Sequence, residues 1–209
     1  MALVTAPLLS LDASGKVADA LVFSKWKGRN YVRALVRPSN PKSGGQTGMR
    51  VMFKFLSQNW ATLSTSSKAT WAALAEAAAV APFNSFMQKN LLRNRNFLGP
   101  GQDYPVDESD SIDAITVFTA TAGERQITIA LDDAASSNEN WGYLVYRSIQ
   151  TGFTPAVDNL VQVVLANSGT PVNFVDTPLD PDTYYYDAKP FGELGGLGAL
   201  KGEVNAVVA

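Results

Sequence analysis

The 209-residue chain contains no cysteine and no histidine. Without cysteine there is no disulfide framework and no thiolate that could act as a nucleophile or metal ligand. Without histidine the commonest general base is missing, so Ser-His-Asp and Cys-His triads are excluded, and a zinc site would rest on carboxylates alone. We therefore expect a protein that is not an enzyme and that holds no cofactor.

Long apolar runs are missing as well. The run "WAALAEAAAVAPF" at 71–83 is too short to cross a bilayer and contains Glu76. The first ten residues are apolar, but no basic region precedes them, so we expect no secretory signal. The expectation is a protein made and used in the cytoplasm, or in a particle assembled there, with no membrane partner.

Acidic residues are scarce in the first half of the chain. Residues 1–100 hold thirteen Lys and Arg but only three Asp and Glu. Residues 101–209 hold four Lys and Arg and sixteen Asp and Glu. Segment 22–50 contains seven basic residues and no acidic one, although the whole chain has a net charge of −2. Such a split indicates two domains with separate partners.

The first half begins with a strand pattern. Two β-rich runs, "ADALVFSKW" and "NYVRALVR", flank Gly28, which accepts positive φ at little steric cost. We therefore predict a β-hairpin that turns at 27–29. In the second run Tyr31, Arg33, Leu35 and Arg37 alternate onto one face, which is basic, while the other face is small and apolar.

About three helices follow the hairpin. The first is predicted to begin near Thr47, the second at the serine and threonine run 64–67, and the third at Asn84 or Ser85. The apolar stripe of the first helix is formed by Met49, Met52, Phe53, Leu56, Trp60 and Leu63.

The second half of the chain is predicted to form β-strands. After an acidic Gly/Pro linker at 99–110, seven short β-branched or aromatic runs are separated by turn residues, a count typical of an immunoglobulin-like sandwich. The glycine-rich run at 192–200 is interpreted as a flexible hairpin loop before the last strand. We thus predict an extended arm at 1–13, a basic α+β domain of a hairpin and helices at 14–98, and an all-β sandwich at 111–209. Residues 105–209 are expected to fold alone.

Two stretches of the second half carry a family resemblance. With "GYLVYRS" at 142–148 and "TPLDPDTYYYDAKP" at 177–190, residues 111–208 resemble a fibronectin type III domain. In that family a Leu-x-Pro-x-Thr run, matched here by Leu179, Pro181 and Thr183, precedes a tyrosine whose hydroxyl binds back to the corner. The family spacing selects Tyr185 for this role, whereas strand alternation favours Tyr184, and both remain candidates.

The first half carries a second resemblance. Residues 26–33 read W-K-G-x-x-Y-V-R and residues 40–46 read N-P-x-S-x-x-Q. Together with Arg50, Trp71 and "PFNSFMQKN" at 82–90, they make residues 14–98 similar to a small family of phage-associated proteins. That resemblance implies a structural protein of the virion, and it transfers no catalytic residue.

The hairpin is the candidate interaction site. A buried aromatic anchor flanking a tight turn suits an interface, and arginine binds carboxylates through its planar fork. The candidate interface residues are Trp26, Lys27, Arg29, Tyr31, Arg33 and Arg37. The expected partner is the major capsid protein or another virion subunit, with this chain present in many copies or as a homo-oligomer.

A capsid decoration or cement protein is therefore the favoured role. The alternatives are a neck or tail accessory protein, or a module that binds nucleic acid or carbohydrate. Nucleic acid is the less favoured partner, because the acidic second half would repel phosphates. The acids at 107–110 and 132–133 are of the type that calcium takes, but no EF-hand spacing is present, and we interpret them as a solvated linker and strand-end turns.

Overall fold

The structure is a computed structural model that describes residues 2–3, 14–17, 20–37, 39–133, 140–167 and 169–209. The chain divides into two compact units, Met1–Pro41 and Lys42–Ala209. Most of the predicted N-terminal arm lies outside the described residues.

The first unit is a four-stranded antiparallel sheet in the order β1-β4-β3-β2. Its strands are β1 (Ala2–Leu3), β2 (Gly15–Val17), β3 (Leu21–Trp26) and β4 (Arg29–Ala34). The predicted hairpin is formed by β3 and β4. Its two turn residues, Lys27 and Gly28, have φ values of +48° and +77°, the left-handed pair that a two-residue type I′ turn requires. The first two described residues of the predicted arm are extended, but they pair with β4 as strand β1.

The second unit begins with three helices, α1 (Gly44–Asn59), α2 (Thr65–Ala78) and α3 (Pro82–Arg95). The predicted cap of α2 is present, since the Ser64 hydroxyl accepts a hydrogen bond of 3.0 Å from the Ser67 N–H. Helix α3 begins before the predicted Asn84, because Pro82 occupies its first turn, where a missing N–H leaves no helical bond unmade.

Seven strands follow, one within each of the predicted runs. They are β5 (Ile115–Gly123), β6 (Gln126–Asp133), β7 (Asn140–Ser148), β8 (Leu160–Leu165), β9 (Val172–Asp176), β10 (Thr183–Gly192) and β11 (Val204–Val207). Strands β5-β6-β9 form one antiparallel sheet and β11-β10-β7-β8 form another. Side chains of both sheets share one buried cluster, the sandwich core, which includes Ile129, Leu131, Tyr143 and Tyr186. The fold is therefore α+β with β-sandwich character.

The three helices cover the outer face of the β11-β10-β7-β8 sheet. Along β7, Tyr143 and Val145 point into the sandwich core, whereas Leu144 and Tyr146 point towards the helices. A β-bulge in β7, where the pairing shifts between Phe191 and Gly192, leaves Trp141 without a direct partner. The Trp141 side chain therefore packs with those that face the helices. A second buried cluster, the helix-side core, results; it includes Met52, Phe55, Leu56, Trp71, Phe86, Trp141, Leu144, Leu160 and Phe191.

The buried stripe of α1 keeps Met52 and Leu56 from the predicted one, whereas Met49 is only partly buried, and Trp60 and Leu63 lie beyond the end of the helix at Asn59. Phe53 is 50% exposed, and Phe55 is buried against the Trp141 and Phe191 rings, with centroid distances of 5.2 and 5.6 Å. Phe53 follows the fully buried Met52 and so lies about 100° further around the helix. Phe55 comes three residues after Met52, which returns it to the buried side.

The compact units do not divide where the sequence predicted a linker. Because the helices and the sandwich share the helix-side core, the division falls between Pro41 and Lys42. Segment 99–110 is held by hydrogen bonds. The Trp71 indole donates to the Gln102 carbonyl at 2.6 Å, and the Asn90 side chain binds both the N–H and the carbonyl of Gly101.

The glycine-rich loop at 192–198 packs against the end of this segment. The Asp110 carboxylate accepts hydrogen bonds from the N–H groups of Leu194 and Gly196, at 2.7 and 2.9 Å. A Cβ added to Gly192 would collide with the same carboxylate. These glycines therefore allow close packing rather than the flexible loop that was predicted.

Close packing also explains a glycine of α1. A Cβ on Gly48 would collide with the backbone carbonyl of Val157, whereas a Cβ on Gly45 would meet only the end of the Asp158 side chain, at 2.7 Å. We expect Gly48→Ala to lower the free energy of unfolding by about 1–3 kcal/mol. Gly45→Ala, the matched control, should be neutral or slightly stabilising, because the Asp158 side chain can rotate away. Chemical denaturation of both variants checks this, and equal effects would contradict it.

A second prediction concerns independent folding. A fragment of residues 42–209 keeps the helix-side core and should melt cooperatively. A fragment of residues 105–209 loses all three helices and exposes the apolar side chains of Trp141, Leu144 and Phe191. We therefore expect it to aggregate or to bind a hydrophobic dye. Light scattering and dye fluorescence of the two fragments make the comparison, and a monomeric, dye-free 105–209 fragment would refute it.

Candidate docking face

The pairing of β3 with β4 places four of the predicted interface residues on one face. Trp26 lies opposite Arg29, Ser24 opposite Tyr31, and Val22 opposite Arg33. Directly paired residues project to the same side of an antiparallel sheet, and so do every second residues along a strand. Trp26, Arg29, Tyr31 and Arg33 therefore share one side, which we call the basic–aromatic face.

The tip of this face is exposed. Trp26 is 66% exposed, and the Lys27 ammonium lies 4.8 Å from the centroid of its ring, a cation–π contact inside the turn. Arg29 and Arg33 are exposed, and neither has an ion-pair partner among the described residues. A large aromatic ring and two cations thus face outward together.

The other predicted residues lie elsewhere. Lys27 occupies the turn, and Arg37 follows three residues after β4 ends. Lys16, which the sequence reading missed, joins the face because it pairs with Val22 across β2 and β3. The short run at 15–17 is too brief for alternation to reveal which side its residues take.

The sheet that carries the face buries little of itself. Among the described residues of the first unit, Phe23 alone is a buried hydrophobic side chain. Residues 1–41 contain six Lys and Arg against two Asp. Over its described residues the sheet thus buries little apolar surface, and contact with another surface would bury more of it.

The tyrosine corner lies in the second unit. The Tyr184 hydroxyl donates a hydrogen bond of 3.0 Å to the Asp180 carbonyl, and Tyr184 is buried in the sandwich core beside Leu179. Tyr185, the alternative, is half-buried and pairs with Ser148 and Asn205 in the neighbouring strands. The corner hydrogen bond therefore belongs to Tyr184, the residue that strand alternation favours.

The buried ionisable groups of the sandwich form hydrogen bonds within it. The Tyr186 hydroxyl donates to Asp176 at 2.8 Å, and the Arg147 guanidinium binds the same carboxylate oxygen at 2.6 Å. Burial, followed by the Asp176 charge, raises the pKa of Tyr186 above its usual range. Burial likewise raises the pKa of Asp187. Its carboxylate accepts hydrogen bonds from the N–H groups of Ala188 and Gly202. These contacts join neighbouring strands and loops.

The acids considered as calcium ligands have internal partners. Glu108 forms an ion pair of 2.6 Å with Arg93, Asp110 holds the glycine-rich loop, and Asp133 accepts a hydrogen bond of 2.6 Å from Asn140. In the part of the chain that the structure describes, no group of three or more acidic residues is arranged to hold a metal ion. Over the same residues, none of the helices has the length and apolar character needed to cross a bilayer.

Comparison with known proteins gives little similarity. No protein-family model matches the chain, and no curated protein matches it. A solved β-1,2-glucanase from Parabacteroides distasonis is 17% identical at a TM-score of 0.34, over 47% of this chain and 14% of the glucanase. The PKD domain of an M14-like peptidase from a Thermoplasmatales archaeon is 18% identical at a TM-score of 0.31, over 48% of this chain and 98% of that domain. TM-scores this low support no conclusion about fold or activity.

The corner assignment can be tested with a matched pair. Tyr184→Phe removes the hydrogen bond to Asp180 while keeping the ring, so we expect it to lower the free energy of unfolding by about 1 kcal/mol. For a chain of this size that corresponds to roughly 2–4 °C in Tm. Tyr185→Phe should change Tm by less. Calorimetry measures both, and a larger effect at Tyr185 would move the corner to that residue.

Proposed function

We propose that the chain is a non-enzymatic structural protein of a phage virion, a capsid decoration or cement protein that is present in many copies. Its docking surface is the basic–aromatic face, and its partner is an acidic surface of the major capsid protein. The observation that carries the docking step is the exposed Trp26, which shares its face with Arg29 and Arg33, two arginines that have no ion-pair partner among the described residues. The virion setting rests on the resemblance of the W-K-G-x-x-Y-V-R segment to phage-associated proteins.

The chemistry of the face suits an acidic protein partner. Trp26 supplies an apolar anchor, and anchors of this kind contribute most of the energy of an interface when they are fully desolvated. Arg29 and Arg33 each offer a planar fork that binds a carboxylate through two parallel hydrogen bonds. The short two-residue turn keeps these groups close together on the hairpin.

We place the docking module in the first compact unit. The three helices share a core with the sandwich, so the module narrows to residues 1–41, and residues 42–209 form the displayed unit. We propose a fibronectin type III-like sandwich for that unit. Its support is the division of seven strands into β5-β6-β9 and β11-β10-β7-β8, together with the Tyr184 corner.

A nucleic-acid partner is the second candidate. Aromatic rings interleaved with cations can stack on bases and neutralise phosphates, and Trp26, Tyr31 and Arg33 share one face. Against it, residues 42–209 hold eleven Lys and Arg and seventeen Asp and Glu, a charge that repels nucleic acid. A neck or tail position and a carbohydrate-binding role remain alternatives, and imaging of the protein in the particle separates head from neck and tail.

The test is retention on particles. Trp26→Ala removes the anchor and should weaken docking by about 2 kcal/mol or more, roughly 30-fold. Arg33→Glu should weaken docking further. In the proposed complex Arg33 pairs with a carboxylate of the shell, and the substitution would place an unpaired buried anion there instead. Lys54→Glu in α1 makes the same charge change on an exposed residue outside the face and serves as the control. Each variant is incorporated during assembly, and its ratio to the shell protein is measured by gel densitometry.

Full occupancy with both Trp26→Ala and Arg33→Glu would refute the docking face. If the Lys54→Glu variant were also lost from the particles, the net charge of the chain, and not this face, would control retention. Binding of the purified chain to duplex DNA that falls steeply with salt and disappears with Arg33→Glu would favour the nucleic-acid alternative.

A further inference from the structure

A cleft opens beside the end of α3 in the second unit. It has a volume of about 500 Å³, and small-molecule sites typically have about 300–1,000 Å³. Its walls are the first turns of α1, the residues at the end of α3, and residues 156–158, which precede β8. Met49 and Val157 supply apolar surface, and Phe97 is 60% exposed. The cleft thus offers a largely apolar surface to a small molecule.

A narrower recess adjoins the cleft and leads towards strand β7. Phe97 and Val157 line both spaces. Other walls of the recess are Leu144 and Tyr146, whose side chains point towards the helices, and Asn94 of α3. Of the residues that line the recess, Asn94 and Tyr146 are the ones with polar side chains. A molecule in the cleft therefore meets two polar groups at its inner end.

These two polar side chains are buried without a strong hydrogen bond. Tyr146 is 8% exposed and Asn94 is 5% exposed. In the described part of the chain the Tyr146 hydroxyl has no hydrogen-bond partner, and the Asn94 side-chain amide donates to the Met49 sulfur at 3.6 Å, a weak acceptor. The Tyr186 hydroxyl, by contrast, binds Asp176. Buried polar groups nearly always have a partner, so these two are suited to bind a group from outside the chain.

We propose that the cleft and its recess bind a small carboxylate with an apolar body. Arg95 lies at the rim, is exposed, and has no ion-pair partner among the described residues. Its planar fork binds a carboxylate through two parallel hydrogen bonds. The Asn94 amide and the Tyr146 hydroxyl can donate to the same group from the recess. Three donors and no basic acceptor at this end favour an anion.

The protonation of Tyr146 suits a donor. Burial, followed by the charge of Asp187, raises the pKa of Tyr146 above its usual range. The hydroxyl therefore keeps its proton at neutral pH and can donate to a carboxylate oxygen.

Asp158 determines the direction in which the ligand lies. A Cβ on Gly45 would be 2.7 Å from its carboxylate oxygen, so this charge lies beside the start of α1, about one helical turn before Met49. The charge repels an anion from that part of the cleft. The carboxylate of the ligand therefore lies towards Arg95, and its apolar body lies against Met49 and Phe97.

Two sources supply a carboxylate of this kind, a free apolar amino acid and the last residue of a polypeptide. Asp158 distinguishes them. A free amino acid carries an ammonium group, which Asp158 attracts, whereas the nitrogen of a last residue belongs to an uncharged amide. The relative affinity for the two therefore identifies the source.

The experiment is an NMR titration of the purified full chain with four related probes. They are 3-phenylpropanoate, L-phenylalanine, N-acetyl-L-phenylalanine and L-phenylalaninamide, of which the last has no carboxylate. We expect the carboxylates to bind with a Kd of about 1 mM, as ligands of roughly twelve heavy atoms do, and to shift the side-chain N–H₂ signals of Asn94. L-Phenylalaninamide should bind at least about 10-fold more weakly.

Two substitutions test the donors. Tyr146→Phe should weaken carboxylate binding about 5- to 10-fold and leave Tm unchanged, because its hydroxyl has no partner in the chain to lose. Tyr186→Phe, which loses the bond to Asp176, should lower Tm and leave binding unchanged. Arg95→Gln should weaken binding about 10-fold or more. Arg50→Gln, the same change at an exposed residue of α1 that does not line the cleft, should bind like the unsubstituted chain.

Tighter binding of L-phenylalanine than of N-acetyl-L-phenylalanine supports the site and assigns it to a free amino acid, and the reverse order supports it and assigns a chain terminus. Absence of carboxylate binding at about 10 mM overturns the proposal. Equal affinity for L-phenylalaninamide also overturns it, as does a Tyr146→Phe variant that binds normally or melts at a lower temperature. Because no particle is used, these outcomes are independent of whether Trp26→Ala leaves the virion.

Discussion

The packing of α1 on the outer face of the four-stranded sheet is the contact on which the rest of the second unit depends. Gly48 brings the helix backbone against the Val157 carbonyl, and Phe55 then reaches the rings of Trp141 and Phe191. This close approach converts a two-layer sandwich into three layers. It also fixes where segment 99–110 must run, because that segment has to pass from α3 to β5 across the glycine-rich loop.

Local signals in the sequence predicted the elements well. Gly28 placed the hairpin turn, the Ser64 cap placed the start of α2, and β-branched runs placed all seven strands of the sandwich. What periodicity does not reveal is which surface an apolar stripe packs against. One signal was available: "WGYLVYR" is nearly continuous in apolar residues, as in strands that are buried on both faces. Composition alone did not show the hydrogen bonds that hold segment 99–110, because glycine and proline occur in closely packed chain as well as in flexible chain.

The candidate sites differ in how far the sequence could reveal them. Alternation in β4 was enough to place Tyr31 and Arg33 together, and the turn added Trp26 and Arg29. Lys16 depended on the pairing of a three-residue strand, which no local pattern fixes.

A β-sheet has two faces, and each must be buried or solvated. The four-stranded sheet of the second unit has the sandwich core on one side and the helices on the other. The three-stranded sheet has the same core on one side, and on the other side Thr119, Thr121 and Val175 are exposed. The sheet of the first unit presents the basic–aromatic face and, over its described residues, buries one large side chain. The two outward faces differ in chemistry, since one carries cations beside an aromatic ring and the other carries small side chains, with Asp132 paired to Val117 at its end. Of the two, the first combines an apolar anchor with groups that bind carboxylates, and this is why the proposed docking surface is assigned to it.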